Sequence, residues 1–432
     1  MRENLISSQR KLIVGVVLVT LVMSALVIVE LARGGRPDPS DLRTAATLLD
    51  GTWRFQTGDV PLWAAPETND RDWETIDLTA PPGSHDGDVG LPDYVSGWMA
   101  HGHNGYTGYA WYRRVVIVPA GDASWDILGP SALEDGYELY WNGQSLGGSG
   151  RLGSDPRVVG TRPMRFTLPA DAAGTQGVLA IRVFMLARPP QPTSASGGMR
   201  SPPILAPQPI SDGLYFAHWE RTIAGYVVDA IEPLAMFLLI GLALWCLPRN
   251  DHRGFLVFLC IALALTAERR LNNALVSWTD VMDLRTYSWL AKYLWMPTLA
   301  AWAMAWNRWS PRPWRMIDIA AVLLAVAAIV GTAANWSALT TGSRYAWIVL
   351  FVFMGCRIVR KGPMRILSEV NLVLIILVFF GGELLDPLGV PGIWFPFGIG
   401  VSRTQYIYAF LTPLLGILIV KTLSLRDSTV TD

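Results

Sequence analysis

Eight long apolar stretches constrain this chain more than any motif in it: 12–31, 222–247, 254–276, 287–306, 316–334, 345–359, 366–385 and 404–423. A hydrocarbon core roughly 30 Å thick takes about 20 apolar residues as helix, because in lipid each backbone polar group must find its partner within the segment. The third stretch is the weakest, since its apolar run ends at Ala267 and Glu268, Arg269 and Arg270 follow. With 51% hydrophobic residues and 19 Trp, the chain is too apolar for an ordinary soluble globule. A membrane protein is therefore expected, with an α-helical bundle of one N-terminal anchor and seven C-terminal transmembrane helices around one sizeable polar domain.

The charges decide its orientation. Lys+Arg and Asp+Glu are both 35, so no net field points to nucleic acid and only local placement informs. Arg2, Arg10 and Lys11 precede the first stretch, which is too long for a signal-peptide core and is read as an uncleaved anchor. Basic residues recur in alternate connections, at Arg249 and Arg253, at Arg308, Arg312 and Arg315, and at Arg357, Arg360, Lys361 and Arg365, while the other connections hold fewer, with Arg269, Arg270, Arg285 and Arg403 as exceptions. Positive-inside bias then puts these loops on the cytoplasmic side and exports the polar domain. The expected division is 1–33 cytoplasmic N-terminus and anchor, 34–187 exported β-sandwich, 188–221 Pro/Ser/Gly-rich connector, 222–423 bundle and 424–432 cytoplasmic tail. Cys246, Cys260 and Cys356 all fall within the bundle, so the exported domain has no disulfide.

Between Leu48 and Val183 the pattern is one of short strands separated by turn signals. Asn142-Gly143 after Tyr137-Glu-Leu-Tyr-Trp141 is a two-residue hairpin signal, because both central positions of a type I′ turn need positive φ. An all-β sandwich follows. The blocks Leu49-Asp-Gly-Thr-Trp-Arg-Phe55, Asp72-Trp-Glu-Thr-Ile-Asp-Leu78, Gly108-Tyr-Ala-Trp-Tyr-Arg-Arg114, Tyr137-Glu-Leu-Tyr-Trp-Asn-Gly143 and Leu179-Ala-Ile-Arg-Val183 resemble the sugar-binding jelly-roll domain of family 2 glycoside hydrolases. That resemblance implies a galactose-binding-like jelly roll. The seven-span arrangement behind it resembles the seven-transmembrane receptors with diverse intracellular signalling modules. In the hydrolases the two catalytic carboxylates come from a separate downstream barrel, which this sequence replaces with apolar stretches, so no glycosidase activity is expected. Asp50, Asp72, Asp77, Glu134, Asp135 and Glu138 read most simply as strand-end and turn residues.

Two groups of residues are candidate sites. The long Gly- and His-containing segment 81–107 offers Trp98, His101, His103, Asn104 and Tyr106, and Tyr109 follows it; aromatic faces with directional side chains suit a carbohydrate. The competing reading is that Trp98, Tyr106 and Tyr109 cover the open end of the sandwich. His101-Gly-His103 with His85, Asp86, Asp88 and Asp93 has no diagnostic metal spacing, and no metal or other cofactor is assigned. In the bundle, Asp229, Glu232, Arg269, Arg270, Lys292, Glu383, Asp386 and Arg403 fall toward the outer side and form a candidate polar cluster. Asp229 and Glu232 share a helix face, with Arg269, Arg270 or Lys292 available to neutralise them. The competing reading is local pairing and snorkelling at helix ends.

A sensor-like protein is the leading expectation, with the jelly roll binding a carbohydrate or related envelope ligand. The tail 424–432 cannot form a kinase or cyclase, which needs a packed domain of roughly 100 residues, so a separate cytoplasmic signalling partner is expected. The alternatives are a membrane enzyme acting on envelope glycans or lipids, and a transporter or assembly scaffold. No nucleophile or metal motif in the spans supports the enzyme, and no internal repeat supports the transporter.

Overall fold

The computed structural model describes residues 14–16, 18–26, 29, 40–82, 94–187, 196–310, 312–361, 365–385 and 407–429. Its polar part is built on two antiparallel sheets. The larger has six strands in the order β3-β2-β4-β9-β6-β7: β2 Thr52–Thr57, β3 Glu74–Asp77, β4 Gly108–Ile117, β6 Gly136–Trp141, β7 Gln144–Ser149 and β9 Gln176–Met185. The smaller has four, β1-β10-β5-β8: β1 Thr47–Leu48, β5 Trp125–Leu128, β8 Arg165–Thr167 and β10 Ile204–Pro207. The core between the sheets follows the two-residue period of the strands. Trp53 and Phe55 from β2, Ala110 and Tyr112 from β4, and Leu179, Ile181 and Val183 from β9 meet Ile127, Phe166 and Leu205 of the smaller sheet. Asn142 (φ 46°) and Gly143 (φ 84°) close the β6–β7 hairpin with both central residues at positive φ, as the Asn-Gly pair predicts.

One departure from simple alternation positions the site. Trp111, Arg113, Ala180 and Arg182 point to the other face of the large sheet and are buried as well. The segment after β2 folds back over that face, packing Trp63, Ala64 and Trp73 against Trp111, Ala180 and Tyr140. Arg113 is thereby enclosed, with Nε donating to Asp70 at 3.0 Å and Nη1 to the Ala65 carbonyl at 3.0 Å.

The helices are α1 Ser40–Thr44, α2 Gln208–Tyr226, α3 Val228–Cys246, α4 Arg253–Trp278, α5 Leu284–Trp309, α6 Arg315–Ala333, α7 Ser337–Lys361, α8 Arg365–Leu385 and α9 Tyr408–Thr429. The described residues of 14–26 are also helical, and Ser24 Oγ donates to the Ala409 carbonyl of α9 at 2.5 Å. By length and composition four helical runs can cross a membrane: 208–246, comprising α2 and α3, then α6, α7 and α8. These four are compatible with a membrane protein. One apolar core links α3 to α9, including Trp302, Trp306 and Trp309 of α5 and Trp347 of α7.

The segment 188–221, expected as a stiff extended connector, differs in its described part. Residues 196–207 complete the sandwich: Met199 is in its core, and β10 pairs with both β1 and β5. The Pro, Ser and Gly that suggest a linker instead sit at tight approaches, and a Cβ on Gly197 would lie 2.3 Å from the Trp98 indole. Residues 208–226 are helix α2.

Candidate functional site

The residues singled out in the sandwich divide between its two faces. Trp98 begins a single helical turn, Trp98–His101, and is fully buried, its ring 6.0 Å from Phe55 and 5.8 Å from Tyr106. Its Nε1 donates to the Tyr106 carbonyl at 3.2 Å, and the Tyr106 hydroxyl donates to the Tyr109 carbonyl at 2.6 Å. His103 lies beside them, its Nε2 2.9 Å from Glu74 Oε2 and its ring 5.3 Å from Phe55. His101 and Asn104 are exposed. Tyr109 turns to the opposite face of β4, where its ring meets Phe184 at 4.7 Å and its hydroxyl donates to the Gly153 carbonyl at 2.6 Å. The structure thus brings Trp98, His103 and Tyr106 together and sets Tyr109 apart. His85, Asp86, Asp88 and Asp93 lie outside the described residues, and among those described no group of His, Cys, Asp and Glu could hold a metal ion.

Around Tyr109 is a polar network whose composition the sequence pattern does not single out. Arg182 in β9 is bidentate to Asp59, with Nε and Nη2 each at 2.7 Å, and its Nη1 donates to Glu138 at 3.0 Å. Its Cζ stacks 4.4 Å from the Tyr109 ring centroid. Glu138 is therefore no turn residue; it stands mid-strand in β6 and also accepts from Tyr140 at 2.8 Å. Burial opposes the charge on Arg182, but the hydrogen bonds and charges of Asp59 and Glu138 outweigh it and raise its pKa. Burial likewise raises the Tyr109 hydroxyl, against the pull of Arg182, and pushes Tyr140 up to about 12 with help from Glu138.

This face of the sheet meets the helices. Leu152 and Val158 pack on Val276 and Leu284, with Tyr109, Phe184 and Tyr287 at the margin. The Leu284 amide donates to the Val158 carbonyl at 2.8 Å, and Arg157 Nη2 donates to the Asp280 carbonyl at 3.0 Å. Arg162 pairs with the Asp280 carboxylate, and Arg285 with Asp155 at 3.4 Å. The sandwich is docked on the turn between α4 and α5.

A second connection runs through α2. At its start Ser211 donates to Asp126 of β5, Asp212 pairs with Arg165 of β8, and Leu214 is buried against Leu128 and Ile204. From there the chain stays helical: Val227, between α2 and α3, keeps φ −59° and ψ −29°. Asp229 and Glu232 come one turn later. Arg270 of α4 reaches both, with Nη1 3.3 Å from Asp229 Oδ1, and Nε and Nη2 3.2 and 3.1 Å from Glu232 Oε2. All three are buried, and the Tyr408 ring of α9 covers the guanidinium at 4.9 Å.

The rest of the expected polar cluster is dispersed. Arg269 lies over Phe379 at 5.7 Å, Lys292 over its neighbour Tyr293 at 5.6 Å, and Glu383 pairs with Arg344. Asp386 and Arg403 lie outside the described residues. Helical spacing identifies Asp229 and Glu232 as neighbours, but nothing in the sequence selects Arg270 over Arg269 or Lys292 as their counterion. Helix rotation makes that choice, because residues adjacent on a helix point about 100° apart.

No protein-family model and no curated protein matches the chain. Parts of three solved glycosidases are similar to it: a Bacteroides uniformis beta-glucuronidase (22% identity, TM-score 0.25), a Bacteroides cellulosilyticus glycosyl hydrolase family 2 member (18%, 0.27) and a Bifidobacterium dentium beta-glucuronidase complexed with coumarin-3-O-glucuronide (18%, 0.22). The similarity covers 37%, 38% and 32% of this chain and 17%, 20% and 20% of theirs. The chain therefore spans at most a fifth of those enzymes' length. TM-scores this low leave the sandwich defined by its own strand order.

Proposed function

We propose that the chain is a sensor-like integral protein of the bacterial inner membrane. Its exported sandwich binds a carbohydrate or related envelope ligand, and the bound state passes through helix packing to a separate cytoplasmic partner. The observation that carries this reading is the helical run 208–246, which begins against Asp126 and Arg165 of the sandwich and delivers Asp229 and Glu232 to Arg270. A shift of the smaller sheet would move α2, and α2 cannot move without disturbing a buried ion triad. Ligand binding acts through such a path only by favouring one arrangement of the helices over another.

The surface of the helical region supports membrane insertion. Along α6, Ile319, Val322, Leu323, Val326 and Val330 face outward, and exposed Trp314 and Trp336 flank the helix at its two ends. That is an apolar band with one tryptophan at each edge, the reverse of a water-soluble helix. The sandwich sits at the α4–α5 turn, while Arg253 and Arg308 lie at the opposite ends of those helices. The sandwich and these arginines thus lie at opposite ends of the two helices, which supports an exported sandwich with the arginines on the cytoplasmic side.

The test uses the full chain in lipid nanodiscs against a panel of envelope saccharides. A saccharide that binds is expected to change amide hydrogen exchange across 208–232 as well as in the sandwich. No binding across the panel, or binding that leaves 208–232 unchanged, would refute the reading.

A further inference from the structure

We infer that the groove between α4, α5 and α6 holds one acyl chain of an anionic phospholipid, with the headgroup phosphate on Arg308. The inference rests on the membrane placement of these helices proposed above, and it holds whether or not the sandwich takes a ligand. The groove has a volume of about 280 Å³ and an apolar lining, with Phe258 and Ile261 from α4, Pro297 and Ala300 from α5, and Ala325 and Val326 from α6. Ala300 and Ala325 are buried, whereas Ile261, Pro297 and Val326 are exposed, so the groove opens on the outward apolar surface of the helices. Water has no polar partners there, and hydrocarbon is the filling that costs least.

One end of the groove carries a fixed cation. The Arg308 guanidinium lies over the Phe258 ring, with Cζ 4.1 Å from the centroid, and its stem rests on Gly254, where a Cβ would come within 3.0 Å of Cδ. Nη1 donates to Asp318 at 3.0 Å and to the Met304 carbonyl at 3.2 Å. Nε and Nη2 have no protein partner among the described residues, and 26% of the side chain stays exposed. Those two nitrogens form the edge of the fork that matches two phosphate oxygens.

Length and charge select the occupant. Pro297 precedes Arg308 by eleven residues, about 16 Å along α5, and half of a hydrocarbon core roughly 30 Å thick is about 15 Å. Groove and arginine together therefore span the depth of one leaflet. Arg315 precedes Val326 by eleven residues, three turns of α6, and so shares its face. At this end of the three helices the described charges are Arg253, Arg308, Arg312 and Arg315 against Asp251 and Asp318. A zwitterionic lipid offers the same phosphate but brings a cation with it, which these arginines repel.

The test is native mass spectrometry of the full chain released from nanodiscs of phosphatidylcholine with a minor share of phosphatidylglycerol. The wild type is expected to keep one phosphatidylglycerol, enriched about tenfold over its share of the bilayer, a discrimination that one charge-assisted contact supplies. Ala300→Leu, or Ala325→Leu from the other wall, fills the groove and is expected to lose the retained lipid. The double variant Arg308→Gln, Asp318→Asn removes the ion pair as a unit and is expected to lose the preference for the anionic headgroup. Melting in pure phosphatidylcholine checks that each variant is folded. Undiminished phosphatidylglycerol in a folded groove-filling variant, or an undiminished preference in the double variant, overturns the inference. Displacement of the lipid by soluble glycerol phosphate also overturns it, since the headgroup alone would then suffice. A chain that does not enter the nanodisc overturns the membrane placement as well, whereas one that enters and keeps the two lipids in proportion to their supply overturns this inference alone.

Discussion

Substituting Arg270 by Gln tests whether α3 and α4 are joined through a buried ion triad. The guanidinium makes three contacts of 3.1–3.3 Å, two to Glu232 and one to Asp229, and all three side chains are at most about a tenth exposed. Each charge-assisted contact is worth about 1.5–3 kcal/mol, but they share one group and do not add. The larger effect is what remains: two carboxylates without their counterion, for which breaking a buried pair costs about 3–5 kcal/mol. Arg270→Gln is therefore expected to lower the unfolding free energy by about that amount, measured by equilibrium denaturation in mixed detergent–lipid micelles. The triple variant Asp229→Asn, Glu232→Gln, Arg270→Gln removes all three charges of the triad together and is expected to recover most of the loss. If Arg270→Gln stays within about 1 kcal/mol of wild type, or the triple variant is less stable than Arg270→Gln alone, the buried-charge reasoning fails.

Leu284→Ala removes Leu284's share of the apolar contact with Leu152 and Val158, leaving Val276, and is expected to cost about 2–5 kcal/mol of docking, read as faster amide exchange at 152–158 with the sandwich core unchanged. The Asp280–Arg162 pair beside it is largely solvent-exposed on the Asp280 side, so Asp280→Ala should have a smaller effect, within about 1 kcal/mol and weaker at high salt. Gly97→Ala would set a Cβ 2.1 Å from the Gly197 carbonyl, and because that neighbour is backbone the sandwich should lose about 1–3 kcal/mol in thermal unfolding. Tyr140 gives a pH signature: its folded pKa, raised to about 12 by burial and Glu138, exceeds the ordinary value of 10.0. Its contribution is fully present below pH 10.0 and is lost as pH rises toward about 12, so Tyr140→Phe should flatten stability over that window, and phenolate absorbance should lose one late-titrating group.

Elements with a strong local period were legible in the sequence. The apolar stretches 254–276 and 287–306 fall within α4 and α5, and 316–334 matches α6 to within one residue. The β4, β6 and β9 segments were readable from alternation and from the Asn142-Gly143 turn, because backbone sterics and side-chain period act over a few residues and need no partner. Composition misled at 196–207, where Pro, Ser and Gly suggested a linker although the residues serve close packing against Trp98 and a strand in the smaller sheet.

The functional groupings were settled by tertiary structure. Tyr109 and Trp98 are close in sequence, yet strand direction sends them to opposite faces, one beneath Arg182 and the other into the core. Arg182, Asp59 and Glu138 converge from three separate segments, and the docking of Val158 on Leu284 joins residues with no local relation. The sequence by itself determined that apolar helices would carry a β-domain, and that Asp229 and Glu232 would share a helix face. Only the packing of α4 and α9 against α3 decided that Arg270 meets them under Tyr408, because a counterion is chosen by distance and helix rotation, neither of which is encoded in local pattern.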